Sequence, residues 1–172
     1  LRAAIGYIPQ DGYLFSGTIR ENIAFSSNHK DEERIIKAAE QANILDEINN
    51  FKGRFDTIIG ERGVQLSRGQ RQRLAIARTF YKNPDIYIFD DCLSAIDANK
   101  EQEILAELKK ESEGKTSIII RHRVTTLKDT DQIIVLENGE ITETGSHNEL
   151  LENKGFYSQM HQIQSNKDKK TN

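Results

Sequence analysis

Two short runs, Ile86-Tyr87-Ile88-Phe89 and Ser117-Ile118-Ile119-Ile120, are apolar almost without interruption, where a strand with one wet face would alternate. Runs of this kind predict parallel strands covered on both faces. The stretch between them, Asn99 to Glu113, has helical spacing, with Ile104, Leu105 and Leu108 inside and charges outside. Strands alternating with helices make the chain an α/β protein. The first run ends in Asp90-Asp91, and a buried strand ending in acids can serve a magnesium–phosphate site at its C-terminal edge. Upstream, Leu66-Ser67-Arg68-Gly69-Gln70 opens a helix over 69–81, with Ser67 as N-cap and Asn83-Pro84 as its stop. Free N–H groups at such a helix start form an anion site. Either feature alone is common; together they point to nucleotide phosphate chemistry.

The remaining segments fit one domain's worth of sequence, 172 residues. Ile5 to Ile8 reads as a strand stopped by Pro9-Gln10-Asp11-Gly12. Glu32 to Ala42 reads as a helix with Ile35, Ile36, Ala38, Ala39 and Ala42 on its apolar side, followed by a helical piece around 44–48. Ile133 to Leu136 and Ile141 to Thr144 flank an Asn138-Gly139 hairpin turn, and Ser146-His147-Asn148-Glu149 is a capping box. Basic residues are scattered and offset by acids, for a net charge of -3, which gives no nucleic-acid surface. No apolar run approaches the roughly 20 residues of a membrane span, and the polar start is no signal peptide. Cys92, the single cysteine, excludes an internal disulfide and fits a reducing cytosol. Leu1 to Ile8 enters a strand pattern at once, which reads as a start imposed by truncation.

These residues resemble the nucleotide-binding domain of ATP-binding cassette (ABC) transporters, from Leu1 to about Gln164. The resemblance implies an incomplete P-loop NTPase (RecA-like) parallel-sheet core with an inserted α-helical signature subdomain. Its expected parts are residues 1–13 (core strand and Q-loop), 14–82 (helical signature subdomain) and 83–164 (core, C-terminal hairpin and helices), with 165–172 a disordered tail. Leu66 to Gln70 resembles the signature motif, set between Arg62-Gly63-Val64-Gln65 and Arg71 to Arg78. By that resemblance Ser67, Gly69 and Gln70 contact ATP held by the opposite protomer. Arg68 stands where the family most often has glycine, which implies altered affinity.

Ile86 to Asp90 resembles the Walker B strand, which makes Asp90 the Mg²⁺ residue. Asp91 stands where readily hydrolysing members carry glutamate to polarise the attacking water. One fewer methylene retracts the carboxylate by roughly 1.5 Å, and about 1 Å of misplacement can cost about 10²-fold in rate. A site that binds ATP but turns it over slowly is therefore expected, as in the low-turnover half of a heterodimer. Gln10 matches the Q-loop glutamine, which reaches the Mg²⁺ and the attacking water. His122 matches the switch histidine, although Arg121 replaces the small residue usual before it. Ser94-Ala95-Ile96-Asp97 resembles the D-loop, which implies that Ser94 and Asp97 lie at the dimer interface.

Phe15 to Ile23 and Ile59-Gly60-Glu61-Arg62-Gly63 are similar to exporter-type cassettes, as is Gly155-Phe156-Tyr157 through Gln164. In exporters the second segment meets the transmembrane domain, with Glu61 and Arg62 expected as the coupling contacts. His29, His147 and His161 read as surface residues, and Cys92 as a packed small residue. The resemblance implies ATP and Mg²⁺ as cofactors, and as partners a second nucleotide-binding domain and a transmembrane domain on the same full-length chain. It implies a place at the cytoplasmic face of the cell membrane. No Gly-x-x-x-x-Gly-Lys-[Ser/Thr] loop occurs in these residues. Residues 1–172 alone are therefore expected to bind ATP weakly, and a sheet without the phosphate-loop strand to carry unpaired apolar edges. The alternatives are a soluble ABC ATPase of the DNA-repair or translation type and a non-catalytic remnant.

Overall fold

A computed structural model describes residues 2–25, 31–60 and 63–168. It divides into two units, Leu1–Ile120 and Arg121–Asn172. In the first unit β1 (Ile5–Ile8) is followed by a two-residue strand, β2 (Gly17–Thr18), and by the helices α1 (Ile19–Ile23), α2 (Glu32–Gln41) and α3 (Leu45–Asn50). Then come β3 (Ile58–Ile59), α4 (Arg68–Lys82), β4 (Ile86–Asp90), α5 (Ala98–Glu111) and β5 (Thr116–Ile120). The segment expected to be mostly helical also holds an antiparallel pair, with Gly17 opposite Ile59 and Thr18 opposite Ile58. Two-residue strands are too short to show a period, so only long-range pairing reveals them.

The main sheet is parallel, in the order β1-β4-β5. Tyr7 pairs with Ile88 and Ile88 with Ile118, while Ile8 pairs with Phe89 and Phe89 with Ile119. Side chains alternate between faces, and one face carries the core, with Ile8, Tyr87 and Phe89 at most 1% exposed. The other face is open. Tyr7 is 54% exposed and Ile118 and Ile120 are each 47% exposed. The expectation of strands covered on both faces is corrected here: an apolar run shows that burial is favourable, not that a covering element lies within these residues. Ile36 is likewise corrected, because it is exposed while Ile35, Ala38, Ala39 and Ala42 are buried.

The buried face packs on α4. A Cβ at Gly6 of β1 would lie 2.6 Å from Thr79 Cγ2 and 2.7 Å from Pro84 Cγ, so a side chain there has no room. The sequence delimits α4 well. Ser67 Oγ accepts from the Gln70 amide and Gln70 Oε1 accepts from the Ser67 amide, a capping box. At the other end Asn83 takes a left-handed conformation, φ 50°, before Pro84. α4 packs on α1, α2 and β1, and it buries Leu74, Ile76 and Phe80 together with the polar Gln72 and Arg73. Cys92 is buried in the same core.

The second unit holds the hairpin β6 (Ile133–Glu137) and β7 (Glu140–Gly145), then α6 (His147–Glu152) and α7 (Phe156–Asp168). Asn138 and Gly139 both have positive φ, as the two-residue turn requires. Ser146 and Glu149 form the expected capping box. Ile133, Val135, Leu150 and Tyr157 make its small core. α7 runs through Asp168, so residues 165–168 are helical rather than a disordered tail, and 169–172 lie outside the described residues. Its end is tied down by Gln164, whose Oε1 accepts from Val124 N at 2.8 Å and whose Nε2 donates to His122 O at 2.9 Å. Extending an anchored helix by one turn costs little. The boundary between the units falls after Ile120, inside the segment expected as a single core. Among the described residues, no helix is long and apolar enough to cross a membrane.

Candidate functional site

Parallel strands put their side-chain chemistry where the chain leaves the sheet, at the carboxyl ends. At that edge β1 supplies Tyr7 and then Gln10, and β4 supplies Asp90 and then Asp91. The Tyr7 hydroxyl donates to Asp90 Oδ2 at 2.9 Å. Gln10 Nε2 donates to Asp91 Oδ2 at 3.4 Å, a longer and weaker bond. Asp91 turns the chain out of the sheet at φ 43°, a left-handed conformation that aspartate tolerates better than most residues. Its amide still donates to Ile120 O at 2.9 Å, so the β4–β5 ladder holds one residue beyond the strand. The hydrogen bond to Asp90, then burial and the Asp90 charge, push the Tyr7 hydroxyl above its ordinary pKa.

The α4 start lies beside the loop that follows β4. A Cβ at Gly69 would sit 2.9 Å from Ala95 O, so only glycine lets the helix approach this loop. In that loop Ser94 Oγ donates to Asp91 O at 3.1 Å, and Asp97 caps α5 by accepting from the Lys100 amide at 3.1 Å. Ser67 and Arg68 are exposed at the α4 N-terminus, and Arg68 reaches Asp11 at 3.4 Å. Both partners of that ion pair are more than half exposed, so it contributes little.

Behind this edge, buried polar groups fix α4. Gln72 is fully buried and its Nε2 donates to Gln10 O at 3.0 Å. A Cβ at Gly12 would lie 2.8 Å from Arg71 O, so the loop after β1 rests directly on the α4 backbone. Arg73 and Lys100 each bond Glu47 at 2.8 Å, joining α4, α5 and α3. Burial pushes the Glu47 carboxyl up, but the bonds from Lys100 and Arg73 outweigh it and hold the pKa below its ordinary value.

Of the residues singled out in the sequence, Gln10, Asp90 and Asp91 are brought together, and Ser67, Gly69 and Gln70 lie on a helix start that abuts the Ser94–Asp97 loop. His122 belongs to the second unit, exposed, with its carbonyl held by Gln164. Glu61, Arg62 and His29 lie outside the described residues. His147 is only half-buried, and its Nδ1 lies 2.7 Å from the hydroxyl of buried Tyr157. Tyr7 and Gln72 were not legible as site residues. Tyr7 could be found only from the register, since its partner Ile88 lies two residues before Asp90 on the same face.

Residues 1–94 match the family model described as "ABC transporter". Over 164 residues the chain is 49% identical to the uncharacterized ABC transporter ATP-binding protein YwjA of Bacillus subtilis (strain 168), covering 95% of this chain and 28% of that protein. It is 48% identical over 167 residues to the leukotoxin translocation ATP-binding protein LktB of Pasteurella haemolytica-like sp. (strain 5943B), covering 96% of this chain and 24% of LktB. A solved structure of a bacterial Atm1-family ABC exporter with ATP bound superimposes with a TM-score of 0.88 at 43% identity, covering 95% of this chain and 28% of that one. The chain thus spans about a quarter of the length of these relatives. Its fold is the α/β parallel-sheet fold of ABC ATPases, and the chain belongs to the ABC transporter family.

Proposed function

We propose that this chain is the ATP-binding part of an ABC exporter, which powers transport at the cytoplasmic face of a membrane through paired nucleotide-binding domains. The observation that carries the reading is the meeting of Gln10, Asp90 and Asp91 at the carboxyl edge of the parallel sheet, on a chain similar to two translocation or export ATPases. Asp90, with the Gln10 amide oxygen beside it, would hold a magnesium ion. The donor set suits that ion, because carboxylate and amide oxygens are hard ligands. Among the described residues no three acidic, histidine or cysteine side chains gather into a metal cluster. An ion at Asp90 would therefore keep water and phosphate as most of its ligands, as magnesium does. Bound there, such an ion would neutralise charge on the phosphates.

Asp91 orients the water that attacks the γ-phosphorus; the bond to the bridging oxygen breaks, leaving ADP and phosphate. Ser67, Gly69 and Gln70 serve the partner's ATP from the α4 start, where amide N–H groups and the helix dipole favour an anion. Ser94 and Asp97 lie at the interface between protomers, His122 senses the γ-phosphate, and Glu61 and Arg62 contact the transmembrane domain. The short Asp91 side chain makes this chain's own site slow, the low-turnover half of a heterodimer. Asp91→Glu in the full-length transporter with its partner raises ATP hydrolysis by about 10²-fold at this site. An unchanged rate in vesicles or detergent would refute the low-turnover reading.

A further inference from the structure

Tyr7 lies outside every motif discussed above, yet its hydroxyl makes a shorter hydrogen bond to Asp90 than Gln10 makes to Asp91. We infer that Tyr7 is a positioning residue for the divalent cation: its hydroxyl fixes the Asp90 carboxylate in the orientation that receives the ion. This rests on the assignment of magnesium to Asp90.

Three observations support it. The Tyr7 Oη to Asp90 Oδ2 distance is 2.9 Å, against 3.4 Å for the Gln10 bond to Asp91. Among the described residues, Tyr7 supplies the one hydrogen bond that the Asp90 side chain receives. The parallel register places the Tyr7 ring beside Ile88 and on the same face as Asp90, so the hydroxyl reaches forward one diagonal step along the sheet. A donor to Oδ2 leaves Oδ1 for a metal-bound water. Magnesium demands near-ideal octahedral geometry, and a carboxylate already held in place loses less freedom when the ion arrives. β1 and the turn after it thus give a donor to each acid at the end of β4, with the shorter bond to the one assigned to the metal.

The test is Tyr7→Phe in the full-length transporter, which keeps the ring and removes only the hydroxyl. Mn²⁺, standing in for magnesium, is titrated by electron paramagnetic resonance in the presence of a non-hydrolysable ATP analogue. Analogue affinity is measured in parallel with the metal chelated. The expected result is Mn²⁺ affinity lowered about 3–10-fold, with metal-free analogue affinity and melting midpoint unchanged. Equal Mn²⁺ affinity in the two proteins overturns the inference, as does an equal loss of analogue affinity without metal. Asp90→Asn separates the two levels. If it abolishes Mn²⁺ binding while Tyr7→Phe does not weaken it, only the role of Tyr7 fails. If Asp90→Asn leaves Mn²⁺ binding intact, the magnesium assignment fails and takes the Tyr7 role with it.

Discussion

Asp91 combines two constraints at one residue. Its backbone is left-handed, φ 43°, and its carboxylate is placed next to Gln10. Aspartate relieves part of the cost of that conformation, which for most side chains is roughly 1–2 kcal/mol. Asp91→Glu therefore lowers stability by at most about 1 kcal/mol, and a melt of the variant checks this. Gly6 is constrained by contact instead. Thr79 Cγ2 and Pro84 Cγ both lie inside 3 Å of the place a Cβ would take, so Gly6→Ala has to push β1 off α4. The expected cost is about 1–3 kcal/mol, seen as a lower urea midpoint for residues 1–172. An unchanged midpoint would mean that β1 is loosely seated.

At the scale of elements, α4 is the part on which the site depends. Ser67 caps it, its first turn carries Gly69, Gln72 holds the loop after β1, and Arg73 ties it to Glu47 of α3. The Glu47 pKa is lower in the fold than in the unfolded chain. Such a carboxylate stabilises the fold above its unfolded pKa, and the contribution is lost as pH falls through the folded value. Glu47→Gln should cost about 1–3 kcal/mol near neutral pH, since Arg73 is only 7% exposed and loses its charged partner. Thermal melts of wild type and variant should converge as pH drops below the ordinary carboxylate range of about 4. A gap that persists undiminished to pH 3 would assign the loss to packing rather than charge.

At the scale of residues 1–172, one face of the parallel sheet carries exposed apolar side chains. Tyr7, Ile118 and Ile120 present apolar area beside an edge of β5 that no strand among the described residues pairs, a template for association. Residues 1–172 should self-associate, and Ile118→Thr should reduce light scattering without lowering the melting midpoint, because the side chain is 47% exposed. Equal scattering would place the sticky surface elsewhere.

Read alone, the order of residues was enough for whatever local chemistry controls: where α4 starts and stops, through Ser67, Gln70, Asn83 and Pro84; the Asn138-Gly139 turn; and the acids at the end of β4. These depend on caps, turn conformations and apolar spacing within a few residues. Folding in three dimensions was needed for the β2–β3 pair, the one-sided burial of the main sheet, the close approaches of Gly6, Gly12 and Gly69, and the meeting of Tyr7 with Asp90. Each of those depends on strand register or on contact between segments far apart in the chain. Local propensity carries no information about such distances.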